Sequence, residues 1–157
     1  MSTDRVYTCP IPSANVGTAV QDIVAMIATT TKSIRFHHLW IGANVTAQGV
    51  ARLRFKRGSA TVTAGTGGAA GAPIPVDPAD GAVAVAVRLG DTAQATTSGA
   101  FSSMAEVYWD TSLPFELLPV PEDREFSALS GALILDLPAV LGAAVTVAGF
   151  VKFAEVP

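Results

Sequence analysis

The stretch Gly49-Val50-Ala51-Arg52-Leu53-Arg54-Phe55-Lys56-Arg57 decides the class of fold. Val50, Ala51, Leu53 and Phe55 form its apolar set, while Arg52, Arg54 and Lys56 project together to the opposite face. A side-chain period of two is the mark of a β-strand with one buried face. Upstream, Lys32–Ile41 has the same period. Ile34, Phe36, His38 and Trp40 share one face, and Arg35, His37, Leu39 and Ile41 share the other. Both faces are largely apolar, which predicts a strand partly covered on both sides.

Further strands are expected at Arg5–Ile11, Ala60–Thr63, Ala82–Leu89, Ser102–Trp109, Leu113–Leu118, Phe126–Leu137 and Ala144–Glu155. Turn signals recur every ~8–12 residues, as in antiparallel sandwiches and barrels. One helix is expected, over Thr18–Thr29. Thr18 and Gln21 have capping-box spacing, Asp22 sits where the helix dipole favours a negative charge, and Val20, Ile23, Val24 and Ile27 make a helical stripe. A strand over Ile23–Ala28 is the competing reading. Ala64–Gly81 is a Gly/Ala- then Pro-rich loop of a length usually functional or mobile. Pro119–Glu125 reads as a turn. The expected fold is all-β: one antiparallel, jelly-roll-like sandwich over residues 1–157 with a short N-terminal helix.

Composition narrows the function. The 157 residues are 50% hydrophobic and only 15% charged, with a formal net charge of −3. That excludes a disordered chain and argues against a protein that coats nucleic acid. It also suggests a surface largely covered by partners, including further copies of the chain. Cys9 is the only cysteine, so no intramolecular disulfide forms. The N-terminus lacks the basic and apolar regions of a signal peptide. Asp136, Pro138, Gly142 and Gly149 interrupt the one membrane-like stretch, where a spanning helix needs about 20 apolar residues. Synthesis in the cytoplasm is expected, with no membrane partner.

The candidate chemical motifs mostly dissolve on inspection. Gly65-Thr66-Gly67-Gly68-Ala69-Ala70 loosely matches a dinucleotide fingerprint, but Pro73, Pro75 and Pro78 forbid the helix that must follow it. His37 and His38, adjacent on a strand, point to opposite faces and cannot chelate one ion. Asp77-Pro78-Ala79-Asp80-Gly81 reads as a turn rather than a calcium loop. Glu122, Asp123 and Glu125 lie in one charged turn, with nothing to separate their pKa values. Cys9 has no base nearby in sequence. No enzyme, cofactor or metal is expected. The exception is the basic face of Arg52, Arg54 and Lys56, extended by Arg57. Three like charges in a row repel unless carboxylates face them. The strip is therefore the candidate contact for an acidic partner surface, with a solvated outer face as the plainer reading.

The order of segments also resembles a group of small proteins encoded in tailed-phage and prophage genomes. The likeness rests on several segments: Thr18–Thr29 leading into Lys32-Ser33-Ile34-Arg35-Phe36; Leu53-Arg54-Phe55-Lys56-Arg57-Gly58; the loop Gly67–Pro78; Pro119-Val120-Pro121-Glu122-Asp123-Arg124; and Leu135-Asp136-Leu137-Pro138 with Val145–Glu155. It implies a virion component, most often a capsid decoration (cement) protein on the major capsid protein lattice. A homo-oligomer such as a trimer is then expected. A tail, baseplate or fibre component binding a host receptor or glycan is the alternative.

Overall fold

The computed structural model describes residues 4–44, 49–120, 127 and 129–157. Among them thirteen strands follow one another: β1 (Arg5–Val16), β2 (Gln21–Ile27), β3 (Ser33–Asn44), β4 (Val50–Gly58), β5 (Val62–Thr63), β6 (Ala69–Ala70), β7 (Ile74–Pro75), β8 (Ala86–Asp91), β9 (Thr96–Thr97), β10 (Phe101–Asp110), β11 (Phe115–Leu117), β12 (Ala132–Leu137) and β13 (Val145–Val156). A front sheet has the order β11-β3-β13-β1-β7, a back sheet the order β10-β4-β12-β2-β8-β6, and β5 and β9 form a small ribbon. Every strand pairing is antiparallel. The protein is thus all-β.

The two sheets share one core. Tyr7, Cys9 and Ile11 of β1, Phe36 of β3 and Phe153 of β13 meet Met26 of β2, Leu53 and Phe55 of β4, and Leu133 and Leu135 of β12. Phe36 and Phe55 touch across the sheets at 5.0 Å between ring centroids. The two strands nearest the C-terminus occupy central places: β13 lies between β3 and β1, and β12 between β4 and β2.

The expected helix over Thr18–Thr29 is not there; β2 takes its place, paired with β12 on one edge and β8 on the other. The Gln21 side chain, expected to cap a helix, instead accepts a hydrogen bond from the Gly17 amide at 3.0 Å. Residues 21–26 are all buried, so no alternation survives in the sequence to mark the strand. Apolar residues needed on both faces mimic a helical stripe, whereas Val and Ile favour the extended chain.

On β3, the two apolar faces have a different origin from the one expected. His38 pairs with Lys152 and Phe36 with Phe153, which leaves His37 as the extra residue of a β-bulge. The bulge switches the inward parity from Ile34 and Phe36 to Leu39 and Ile41, all four buried.

The Gly/Pro-rich loop is also tied down. Its β6 extends the back sheet along β8 and its β7 extends the front sheet along β1, only three residues apart. Gly71, between them, donates to the Val87 carbonyl at 2.8 Å. A Cβ there would lie 2.8 Å from the Cys9 sulfur and 2.9 Å from Val87, so only glycine lets the chain cross this close. The loop laces one side of the two sheets together. The expected Asp77 turn forms, with the Asp77 carboxylate accepting from the Ala79 amide at 2.9 Å.

Candidate interaction surfaces

The basic strip lies on the outer face of β4, with Ala51, Leu53 and Phe55 in the core beneath it. The carboxylates that balance it belong to the same chain. On β10, Glu106 accepts from Arg52 Nη2 at 2.5 Å. On β12, Asp136 receives Arg54 through two bonds of 3.1 and 2.6 Å, the forked geometry suited to a guanidinium. Lys56 Nζ donates to Asp136 at 2.8 Å and to Asp22 of β2 at 3.4 Å. Gln94 donates to Asp136 at 2.9 Å, and the Ala95 amide to Asp22 at 2.7 Å.

The strip therefore divides. Arg52 is 45% exposed in its side chain, whereas Lys56 is 4% exposed and Asp136 fully buried. Arg52 and Glu106 stabilise each other's charged forms, the pKa of Arg52 raised and that of Glu106 lowered by their hydrogen bond. The bond to Asp136 likewise raises the Arg54 pKa. Burial pushes the Asp22 carboxyl up, against the pull of the Ala95 amide and Lys56.

Residues 59–100 make this network possible. Within them the β5–β9 ribbon and its flanks cover the outer face of the back sheet, while β6 and β8 join that sheet and β7 joins the front one. Val62 and Ala95, from this excursion, pack on Ala25, Ala132 and Ile134 as a second small core. Lys56 Nζ also sits 4.7 Å from the centroid of the Phe101 ring.

The other sequence candidates have structural roles or lie apart. Gly68 donates to Asp91 at 3.0 Å and rests against β8, where a Cβ would come within 2.2 Å of the Leu89 carbonyl; its neighbours pair as strand and open no helix. Cys9 is buried, which raises its thiol pKa. Among the described residues no three His, Cys, Asp or Glu side chains group as metal ligands. Glu122, Asp123 and Glu125, with most of their turn, lie outside the described residues.

Opposite the laced side, the sheets end in β10 and β11. A trough of about 120 Å³ opens there, lined by Leu53, Phe55, Val107, Phe115, Leu117 and Leu135, with Glu116 at its border. β10 is the outermost strand of the back sheet and Tyr108 on it is 80% exposed. The arch from β10 to β11 is pinned by the Trp109 indole, which donates to the Leu113 carbonyl at 2.7 Å.

No family model, curated protein or solved structure matches this chain.

The outer face of the front sheet is the third surface. Glu116, Trp40, Phe150 and Pro10 sit in one row across β11, β3, β13 and β1, and His38, Lys152 and Thr8 in the row beside it. Trp40 and Phe150 stack at 6.5 Å with planes 16° apart. His38 meets Phe150 edge-on at 5.0 Å, and its Nε2 is 2.8 Å from a Glu116 carboxylate oxygen. The sequence placed His38 and Trp40 on one face but grouped them with Ile34 and Phe36; the bulge at His37 separates the two pairs, so the patterning did not mark this row as outward.

Proposed function

We propose that the protein is a structural component of a tailed-phage virion, a decoration (cement) protein that binds the major capsid protein lattice and associates with copies of itself, most simply as a trimer. The observation that carries the reading is the open side. An exposed edge strand beside an apolar trough is suited to contact with another protein, whereas the opposite side is laced shut. The strand order supports it. Strands β1-β13-β3-β11 facing β2-β12-β4-β10 follow jelly-roll connectivity, an arrangement found in viral capsid and lectin domains. The resemblance to phage-encoded proteins agrees with this.

Such a protein works through contact area and needs no catalytic residue or cofactor. A protein that binds only the assembled shell stabilises it by mass action, by about 2.7 kcal/mol at a hundredfold excess over Kd. Of the basic strip, Arg52 has the exposure to reach an acidic neighbour, and such a contact would steer association more than it strengthens it.

The test is to isolate particles released by the phage or prophage that encodes the chain, and to locate the protein by cryo-EM. Copies on the head in fixed ratio to the capsid protein are expected. Tail-only density would favour the tail or fibre reading, and particles devoid of the protein would overturn both. In solution, light scattering should give an oligomer whose mass falls when Val107 and Tyr108 are replaced by Ser. A wild-type monomer at micromolar concentration would remove the open side as a self-contact.

A further inference from the structure

We propose that the outer face of the front sheet is a binding site for a neutral saccharide, with Trp40 and Phe150 as the stacking platform and Glu116, His38 and Lys152 as its polar rim. A pyranose ring has an apolar C–H face and a hydroxyl edge. The row Glu116–Trp40–Phe150–Pro10 has the complementary form: rings in the middle, a carboxylate at one end, and hydrogen-bonding groups alongside. Aromatic rings present a negative face that attracts polarised C–H groups. Trp40 is 38% exposed, and its indole reaches back over Gly42, where no side chain competes for the space.

The rim is organised before any ligand arrives. The bond between His38 and one Glu116 oxygen holds the carboxylate in place and leaves its second oxygen for a hydroxyl donor. Glu116 remains 55% exposed, so a ligand can reach it. The perpendicular contact of His38 with Phe150 fixes the second ring of the platform.

The same features disfavour other occupants. A stable protein contact needs about 800 Å² from each partner; here only two aromatic rings and a proline lie between polar residues. Single-stranded nucleic acid also stacks on aromatic rings, but it wants a line of cations, and this platform ends in a carboxylate. Lys152 and Glu116 offset one another in charge, which suits an uncharged sugar.

Of the platform and rim residues only Glu116 also borders the open side, and Trp40, Phe150, His38 and Lys152 lie apart from it, so failure of capsid decoration leaves the inference standing, and its own failure leaves the decoration reading intact. Intrinsic fluorescence tests it cleanly, because Trp109, the other tryptophan, is buried. The Trp109→Phe protein is titrated with the hexaoses of glucose in both linkages, of mannose and of N-acetylglucosamine. At least one should give a saturable shift that is the same at low and high salt. With Trp109 retained and binding read by calorimetry, Trp40→Ala should weaken it at least about tenfold, with Tm unchanged, and Trp40→Phe should keep part of it.

Absence of a saturable shift with every hexaose overturns the proposal, as does binding that survives Trp40→Ala. A Trp40→Ala change in light-scattering mass without sugar binding would reassign the platform to protein contact. A salt-sensitive shift with oligothymidylate alone would reassign it to nucleic acid.

Discussion

The outer faces of the two sheets begin alike and end differently. Each carries, on its exposed side, residues too polar or too large to leave without a partner. On the back sheet these are Lys56, Arg54, Asp136 and Asp22; on the front sheet they are Trp40, Phe150 and His38. The segments around β5 and β9 cover the first set, and Gln94 and Ala95 complete its hydrogen bonds. No described strand lies over the second. The sides of the molecule repeat the contrast, laced by β6 and β7 on one side and open at β10 and β11 on the other. Polar groups turned inward thus serve stability, and the uncovered regions are the ones that both proposals use.

Breaking the covered network should have the largest effect. Asp136→Ala leaves Lys56 buried with Asp22, at the longer distance, as its one remaining carboxylate partner, and should cost about 3–5 kcal/mol in urea unfolding, as removal of one member of a buried pair does. Adding Lys56→Met should recover much of that loss, because an apolar replacement removes the stranded charge. A variant that lost nothing would mean that the cover over the back sheet is loose. Replacing Arg52, Arg54 and Lys56 all by Gln should likewise destabilise the fold, although the apolar face of β4 is untouched.

The lacing comes next. Gly71→Ala pushes a methyl against Cys9 and Val87 and should lower stability by about 1–3 kcal/mol. Cys9→Ala in the same chain should relieve part of the clash, so the two changes should be non-additive in a double-mutant cycle. Additive losses would show that the two sides do not meet there.

A smaller effect sharpens the charge account. The folded-state pKa of Asp22 is raised above its unfolded value, so the folded protein holds this proton more tightly than the unfolded chain. Its contribution to stability is full below the ordinary Asp range and is lost as pH rises through the raised value. Asp22→Asn should flatten that part of the curve in urea titrations across acidic pH; an unchanged slope would exclude Asp22 as its source. Smallest of all, Arg52→Gln breaks an exposed pair and should leave the unfolding midpoint within experimental error.

The class of fold was legible wherever one face of a strand is wet. On β4 and β13 the alternation gives the strand and its inward residues directly: Leu53 and Phe55, then Val147, Val151 and Phe153. It failed where both faces are covered, at β2, and where a bulge shifts the parity, at His37. The partners of the basic strip left a signal that local charge patterning overlooks. Asp22 and Asp136 are lone acids within apolar strands, Gln21–Ile27 and Ala132–Leu137, and a buried acid requires a buried base. Three alternating bases on β4 were the bases available. Pairing Asp136 with Arg54 across the sheet is set by register, which no single stretch encodes.

The central positions of β12 and β13 also govern when the protein can form. Without β13 the front sheet falls into two unconnected parts, β3 with β11 and β1 with β7; without β12 the back sheet separates β4 and β10 from β2, β8 and β6. Residue partners such as Arg5 and Glu155 are nearly the whole chain apart, and contacts of that separation slow folding. On the ribosome, neither sheet can close until the final strands have cleared the exit tunnel. Pairs such as β4 with β10 or β2 with β8 can form before then, but each sheet and the core between them are completed only once β12 and β13 are available.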